Sequence, residues 1–164
     1  MSLYSRRFLL SALPALALAG CGFSPAYGPG GAAGRLQGAI LVDAPTERPD
    51  YLLTRHIEER LGRGTPGRYG LGYSIQLSET AAAISSSNVL TRFNILGNVK
   101  FALRDLDTKE VVLTGSVDNF VGYSASDSTV ATQAARRDAQ ARLMTILAEQ
   151  ILSRLTAEAG RLSA

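Results

Sequence analysis

The stretch YGLGYSIQLS, residues 69–78, decides the fold, because a large apolar residue occupies every second position. Such alternation is typical of a β-strand that buries one face and exposes the other. Similar alternation recurs over residues 92–104 and over residues 111–123. Residues 105–109, rich in Asp and Thr, separate these two segments and favour a turn. The sequence therefore predicts three long strands, of which the last two form a hairpin.

A short strand and a helix are predicted ahead of the long strands. Residues 39–42 form an apolar run that ends before Asp43 and Pro45. Apolar residues then recur at four-residue intervals, which indicates an amphipathic helix with one buried stripe: Leu53, Ile57 and Leu61. We expect Asp50 to cap the start of this helix and Gly62 to end it.

The longest helix is predicted at the end of the chain, from near Ser126 to Ser128 until near Gly160. Its apolar stripe, which we expect Ile146 to widen, comprises Ala131, Ala135, Ala139, Leu143, Leu147, Ile151 and Leu155. The element order is β-α-β-β-β-α. This order predicts an α+β fold, a two-layer sandwich in which both helices cover one face of a four-stranded sheet. The opposite face would be polar and uncovered.

The N-terminus has the pattern of a lipoprotein signal peptide over residues 1–20. Arg6 and Arg7 precede an apolar run that is too short to span a membrane, since a spanning helix needs about 20 apolar residues. The sequence LAGC at residues 18–21 resembles a lipobox and contains the only cysteine. We therefore expect cleavage between Gly20 and Cys21, and acylation of Cys21 as a membrane anchor. The alternative is an ordinary secretory signal, or an uncleaved apolar N-terminus, with a chance cysteine.

The segment after Cys21 bears on localisation and on domain limits. Gly22 replaces the Asp that is typical of inner-membrane retention, which favours an outer-membrane, lipid-anchored protein on the periplasmic side. Residues 21–38 are rich in Gly, Pro and Ala and are interpreted as an acylated tether. Residues 39–160 then form a single domain. The paired arginines leave the export route open between the Sec and twin-arginine pathways.

Composition and motifs give no support for an enzyme, a metal site or a nucleic-acid-binding protein. The formal net charge is +3, and two of the basic residues lie in the predicted signal peptide, which leaves +1. The single histidine, His56, lies among charged residues of the first helix, and we expect it to be a surface residue. No serine has the glycine context of a nucleophile elbow. We therefore assign no catalytic residues, no metal and no cofactor.

Three basic residues, Arg92, Lys100 and Arg104, have the same parity in the second long strand and so share its polar face. Arginine and lysine at such positions can bind the phosphates of an acidic glycolipid. The alternative is ordinary solvent-facing charge, which needs no function.

Several segments together resemble the LPS-assembly lipoprotein family LptE. They are LAGCGFSPAYG at residues 18–28, Thr91-Arg92-Phe93, Tyr123-Ser124, Ala148-Glu149-Gln150-Ile151 and Arg154-Leu155. The resemblance implies a non-catalytic outer-membrane lipoprotein that binds lipopolysaccharide and plugs the lumen of a β-barrel partner, the LPS-assembly protein LptD. An alternative is an independent lipoprotein that faces the periplasm and binds another protein or lipid.

Overall fold

The structure, a computed structural model, describes residues 31–84 and 90–162. A short 3-10 helix, Ala32–Arg35, precedes six elements in the predicted order: β1 (Ile40–Val42), α1 (Arg48–Leu61), β2 (Tyr69–Ile84), β3 (Leu90–Asp105), β4 (Val111–Ser124) and α2 (Thr129–Glu158). Gly20, Cys21 and the Ser-rich residues 85–87 lie outside the described residues.

The four strands form one sheet in the order β1-β2-β3-β4. β1 is parallel to the start of β2, whereas β2, β3 and β4 are antiparallel neighbours. The predicted hairpin of β3 and β4 is thus confirmed. The register aligns the apolar positions of all three long strands, as in the row Ile75, Val99 and Val117. One face of the sheet is consequently apolar along its length.

Both helices pack on that apolar face, which confirms the two-layer α+β sandwich. Residues from both helices and from all four strands form a single core, whose fully buried members include Ile40, Leu53, Ile57, Leu71, Ile95, Leu103, Leu143, Leu147, Ile151 and Leu155. Leu36 also lies in this core. The core therefore includes a residue of the predicted tether, residues 21–38.

The N-terminus of α1 lies slightly earlier than Asp50 suggests. The helix begins at Arg48, with Glu47 as its N-cap and Asp50 at the third helical position. The Asp50 carboxylate accepts hydrogen bonds from the Thr46 hydroxyl, at 2.7 Å, and from the Glu47 backbone N–H, at 3.1 Å. Although burial opposes ionisation of Asp50, these hydrogen bonds lower its pKa. Asp50 thus closes a capping box and is not itself the N-cap residue.

α2 has no buried residue in its first ten positions. Its N-cap, Ser128, lies within the predicted start, and buried residues run from Ala139 to Leu155. Ala131 is exposed, because a stripe with four-residue spacing rotates about 40° per step around a helix with 3.6 residues per turn. The expectation for Ile146 is wrong: its side chain is 36% exposed, and the core position belongs to Met144. In the described part of the chain, neither helix is long and apolar enough to cross a membrane.

Candidate functional site on the uncovered face of the sheet

The sheet face opposite the helices consists mainly of slim or hydrogen-bonding residues. Strand register arranges them in five rows across β2, β3 and β4: Thr80-Asn94-Gly122, Ser78-Leu96-Phe120, Gln76-Asn98-Asp118, Ser74-Lys100-Ser116 and Gly72-Ala102-Thr114. Neither helix packs on this face, since the shared core lies on the other side. We call it the uncovered face. The prediction that it is polar and unoccupied by helices is confirmed.

Two of the three predicted basic residues line one shallow cavity on the uncovered face. Lys100 and Arg104 border a space of about 650 Å³ whose lining includes Gly72, Thr114 and Ser116. Gly72 has no side chain to fill the cavity. The hydroxyl groups of Thr114 and Ser116 can form hydrogen bonds beside the positive charges. The lining also includes the carboxylate of Asp43, so the cavity carries two positive charges and one negative charge.

Arg92 lies on the same face but at its far end. It precedes Lys100 by eight residues, which corresponds to about 27 Å along an extended strand. Its Nε atom lies near Gly122, and it does not line the cavity of Lys100 and Arg104. The expectation that Arg92 shares a face with the other two is confirmed, but the structure does not bring it to the same site.

Arg104 is held at one rim of the cavity by Asp43. Its Nη2 atom lies 3.7 Å from the Asp43 carboxylate, and both side chains are about half exposed. The ion pair lies over Gly72. A Cβ atom added to Gly72 would lie 3.0 Å from Arg104 Nη2 and 3.0 Å from Asp43 Oδ2. Because exposed ion pairs contribute only about 0–1 kcal/mol, Asp43 orients Arg104 more than it stabilises the fold.

One apolar pair interrupts the polar surface. Leu96 and Phe120 are direct cross-strand partners, and they are 40% and 61% exposed. Phe120 was not among the residues that the sequence singled out. The signal was present, since Phe120 has the opposite parity to the buried Val117 and Val121. Leu96 and Phe120 thus form a small exposed apolar patch on the uncovered face.

The single histidine joins the two helices. His56 Nε2 lies 2.8 Å from Glu149 Oε1, and Arg60 donates to the same carboxylate oxygen at 3.0 Å. The hydrogen bond from His56, followed by that from Arg60, lowers the pKa of Glu149 despite partial burial. The side chain of His56 is 23% exposed, so it is less exposed than a surface residue would be. This cluster fastens α1 to α2.

Asp105 has a structural role in the turn between β3 and β4. Its carboxylate accepts backbone hydrogen bonds from Asp107, at 2.9 Å, and Thr108, at 3.1 Å. The bonds from Thr108 and Asp107 lower its pKa. This geometry confirms the turn predicted over residues 105–109. Across residues 31–84 and 90–162, no cluster of three or more His, Cys, Asp or Glu side chains could hold a metal ion.

Comparison with known families decides the assignment of the chain. The family model of LptE, described as lipopolysaccharide assembly, matches residues 38–155, which is most of the chain and nearly all of the described domain. The chain belongs to the LptE family. The resemblance seen in the sequence is therefore confirmed. A search among curated proteins gave no match.

Solved structures share the fold of this LptE-family chain. A protein from Caulobacter crescentus CB15, described as a lipoprotein, is 25% identical and superposes with a TM-score of 0.67, over 78% of this chain and 96% of its own. Rare lipoprotein B from Shewanella oneidensis is 12% identical with a TM-score of 0.57, over 76% of this chain and 96% of its own. Lipoprotein B from Nitrosomonas europaea is 15% identical with a TM-score of 0.53, over 74% and 87%. Because the last two proteins are only 12% and 15% identical to this chain, their similarity concerns the fold alone.

Proposed function

We propose that this LptE-family chain is a non-catalytic outer-membrane lipoprotein, anchored through acyl chains on Cys21, that works with an LptD-like β-barrel. In this role it plugs the lumen of the barrel and forms the lipopolysaccharide-binding subunit. The observation that carries the proposal is the uncovered face on a chain whose family is described as lipopolysaccharide assembly.

The polar character of the uncovered face supports a position of this chain inside the lumen of a barrel. The lumen of a large outer-membrane barrel is polar, so a domain that fills it needs hydrogen-bonding groups on its outer surface. The Ser, Thr, Asn and Gln residues of the five rows supply such groups, and the glycines allow close approach. Phe120 and Leu96 would form the apolar centre of this contact, because aromatic residues dominate the affinity of many interfaces.

The decisive experiment is recovery of partners of the full-length protein. The protein is purified in mild detergent through a C-terminal tag, and the copurifying chains are identified by mass spectrometry. A stoichiometric large outer-membrane β-barrel is the expected result. A lone acylated monomer would contradict the barrel role and favour an independent lipoprotein that faces the periplasm.

A matched pair of variants tests whether the uncovered face forms the contact. We expect Phe120→Ala to lower recovery of the barrel at least fivefold, which corresponds to about 1 kcal/mol of lost binding free energy. Val130→Ala is the control, because Val130 is an apolar residue, 79% exposed, at the start of α2. Equal recovery with both variants would remove the uncovered face from the barrel contact.

The proposed anchor depends on Cys21, which only chemistry on the full-length chain can test. Cys21→Ala should abolish palmitate labelling and leave a soluble or uncleaved form, because no thiol remains to be acylated. Cys21 is the only cysteine, so the variant has no alternative site. Persistent palmitate labelling of Cys21→Ala would refute the lipobox interpretation.

The cavity beside Lys100 and Arg104 is the proposed lipopolysaccharide contact. Neutralising Arg92, Lys100 and Arg104 together should weaken binding of fluorescent lipopolysaccharide while circular dichroism shows a folded domain. Lys100→Gln with Arg104→Gln should account for most of this loss, because these two residues share the cavity. Arg92→Gln alone is the matched control at the far end of the same face. Unchanged binding in the triple variant would reduce all three residues to solubilising charge.

A further inference from the structure

In the described part of the chain, β1 is the strand that pairs with the outer edge of β2, and it covers only the start of that edge. β1 pairs only with residues 69–71, whereas β2 continues to Ile84. The N–H of Tyr69 donates to Ala39, and the carbonyl of Leu71 accepts from Asp43, so odd-numbered residues of β2 point to this edge. Because the direction of backbone groups alternates along a strand, Tyr73, Ile75 and Leu77 present their N–H and C=O groups to the same edge. Within the described residues, these groups have no backbone partner.

Between Tyr73 and Leu77, this edge lacks the lysine, proline and bulges that usually prevent pairing with another chain. Natural edge strands are often short, or carry lysine or proline, which discourage the addition of a further strand. β2 is 16 residues long and contains no Lys, Arg or Pro. The first half of the exposed edge is also apolar, since Tyr73, Ile75 and Leu77 are half buried against the core. The edge therefore resembles one that a partner covers.

A groove of about 590 Å³ runs along this edge. One wall is formed by Tyr73, Ser74, Ile75 and Leu77, and the other by the connection from β1 to α1 together with the first turn of α1. The second wall carries three carboxylates, those of Asp43, Glu47 and Asp50. Among the described residues, Arg104 is the only one that forms an ion pair with this wall, and its Nη2 atom lies 3.7 Å from the Asp43 carboxylate. The groove thus combines free backbone groups, apolar side chains and net negative charge.

We propose that the β2 edge from Tyr73 to Leu77 is a docking site for an extended segment of another polypeptide that carries a basic side chain. The segment adds to the sheet beside β2, about 4.8 Å away, through backbone hydrogen bonds. Its lysine or arginine faces Asp43 and Glu47, and its apolar side chains cover Ile75 and Leu77. Charge complementarity with the acidic wall selects this occupant. The inference does not depend on the barrel or lipopolysaccharide roles proposed above.

Amide hydrogen exchange of the full-length protein in detergent, followed by NMR, tests this site directly. The probe is a synthetic seven-residue peptide that alternates threonine and valine and has one central lysine; its matched control has glutamate there. In the free protein, amides of Tyr73, Ile75 and Leu77 should exchange faster than those of Ser74 and Gln76, which face β3. The lysine peptide should protect the three outward amides and bind about fivefold more tightly than the glutamate peptide, the effect of one exposed ion pair.

A double variant and a control variant test whether the acidic wall of the groove causes the preference for the lysine peptide. Asp43→Asn with Glu47→Gln should abolish the fivefold preference for the lysine peptide, whereas Glu110→Gln, an exposed acid on the turn after β3, should preserve it. Equal affinity for both peptides, or binding without protection of the outward amides, would overturn the proposal. Protection without peptide that rises with protein concentration would also overturn it, because a second copy of the chain would then be the occupant.

Discussion

The contact between Phe101 and Gly115 provides a sharp test of the packing that supports the uncovered face. These residues are direct cross-strand partners on the helix side of the sheet, and the buried ring of Phe101 lies against the glycine. A Cβ atom at Gly115 would lie 2.4 Å from Cζ and 2.8 Å from Cε1 of the ring. Ordinary carbon contacts are about 3.5–4.0 Å, so Gly115→Ala requires a displacement of about 1 Å.

We expect Gly115→Ala to lower the free energy of unfolding by about 1–2 kcal/mol. Overpacking of a core costs about 1–3 kcal/mol, and the reduced freedom of the unfolded chain offsets about 0.4–1 kcal/mol of this. Gly122→Ala is the matched control on the same strand. Its Cβ would meet the side chains of Asn94 and Arg92 at 3.1 and 3.6 Å, and the partly exposed Asn94 and the exposed Arg92 can both move. The control should be neutral or slightly more stable.

A double-mutant cycle with Phe101→Leu, followed by urea denaturation, isolates the clash. Leucine has no atom in the position of the ring Cζ, so Gly115→Ala should cost little in the Phe101→Leu background. The coupling free energy should be about 1–2 kcal/mol. Two results would refute the reasoning: a Gly115→Ala protein as stable as the parent, or a double variant whose loss equals that of the two single variants added together.

Two further predictions concern the helices. Leu147→Ala should destabilise the domain by about 2–5 kcal/mol, because Leu147 is fully buried, whereas Ile146→Ala should cost less than about 1 kcal/mol; equal losses in urea denaturation would contradict the orientation of α2. Glu149→Gln should lower the melting temperature at pH 7. The depressed pKa of Glu149 stabilises the fold above the pKa of a solvated glutamate, and this contribution disappears as the pH falls through the folded-state value. The difference in melting temperature between parent and variant should therefore start to shrink as the pH falls below the pKa of a solvated glutamate, about 4.3, and a constant difference would argue against ionisation of Glu149 as the cause.

The sequence predicted which face of the sheet the basic residues occupy, because the face depends only on position along one strand. It did not predict the cavity, because the cavity is formed by residues of several strands. The parity of Arg92, Lys100 and Arg104 placed all three on one face, as the structure shows. Their separation was also implicit in the sequence, but the cavity around two of them needs Gly72, Thr114 and Ser116 from neighbouring strands. The ion pair of Arg104 with Asp43 likewise joins residues far apart in the chain.

The sequence by itself determined the class of fold, because alternation and helical spacing are local properties that each segment carries independently. It also contained the motifs that indicate the LptE family, which the match over residues 38–155 confirms. Only the tertiary structure decided the strand order, the burial of Met144 in place of Ile146, the inter-helix role of His56 and the short pairing of β1 with β2, which stops at Leu71. These features depend on which distant segments meet, and local periodicity specifies which side chains are buried but not which neighbours bury them.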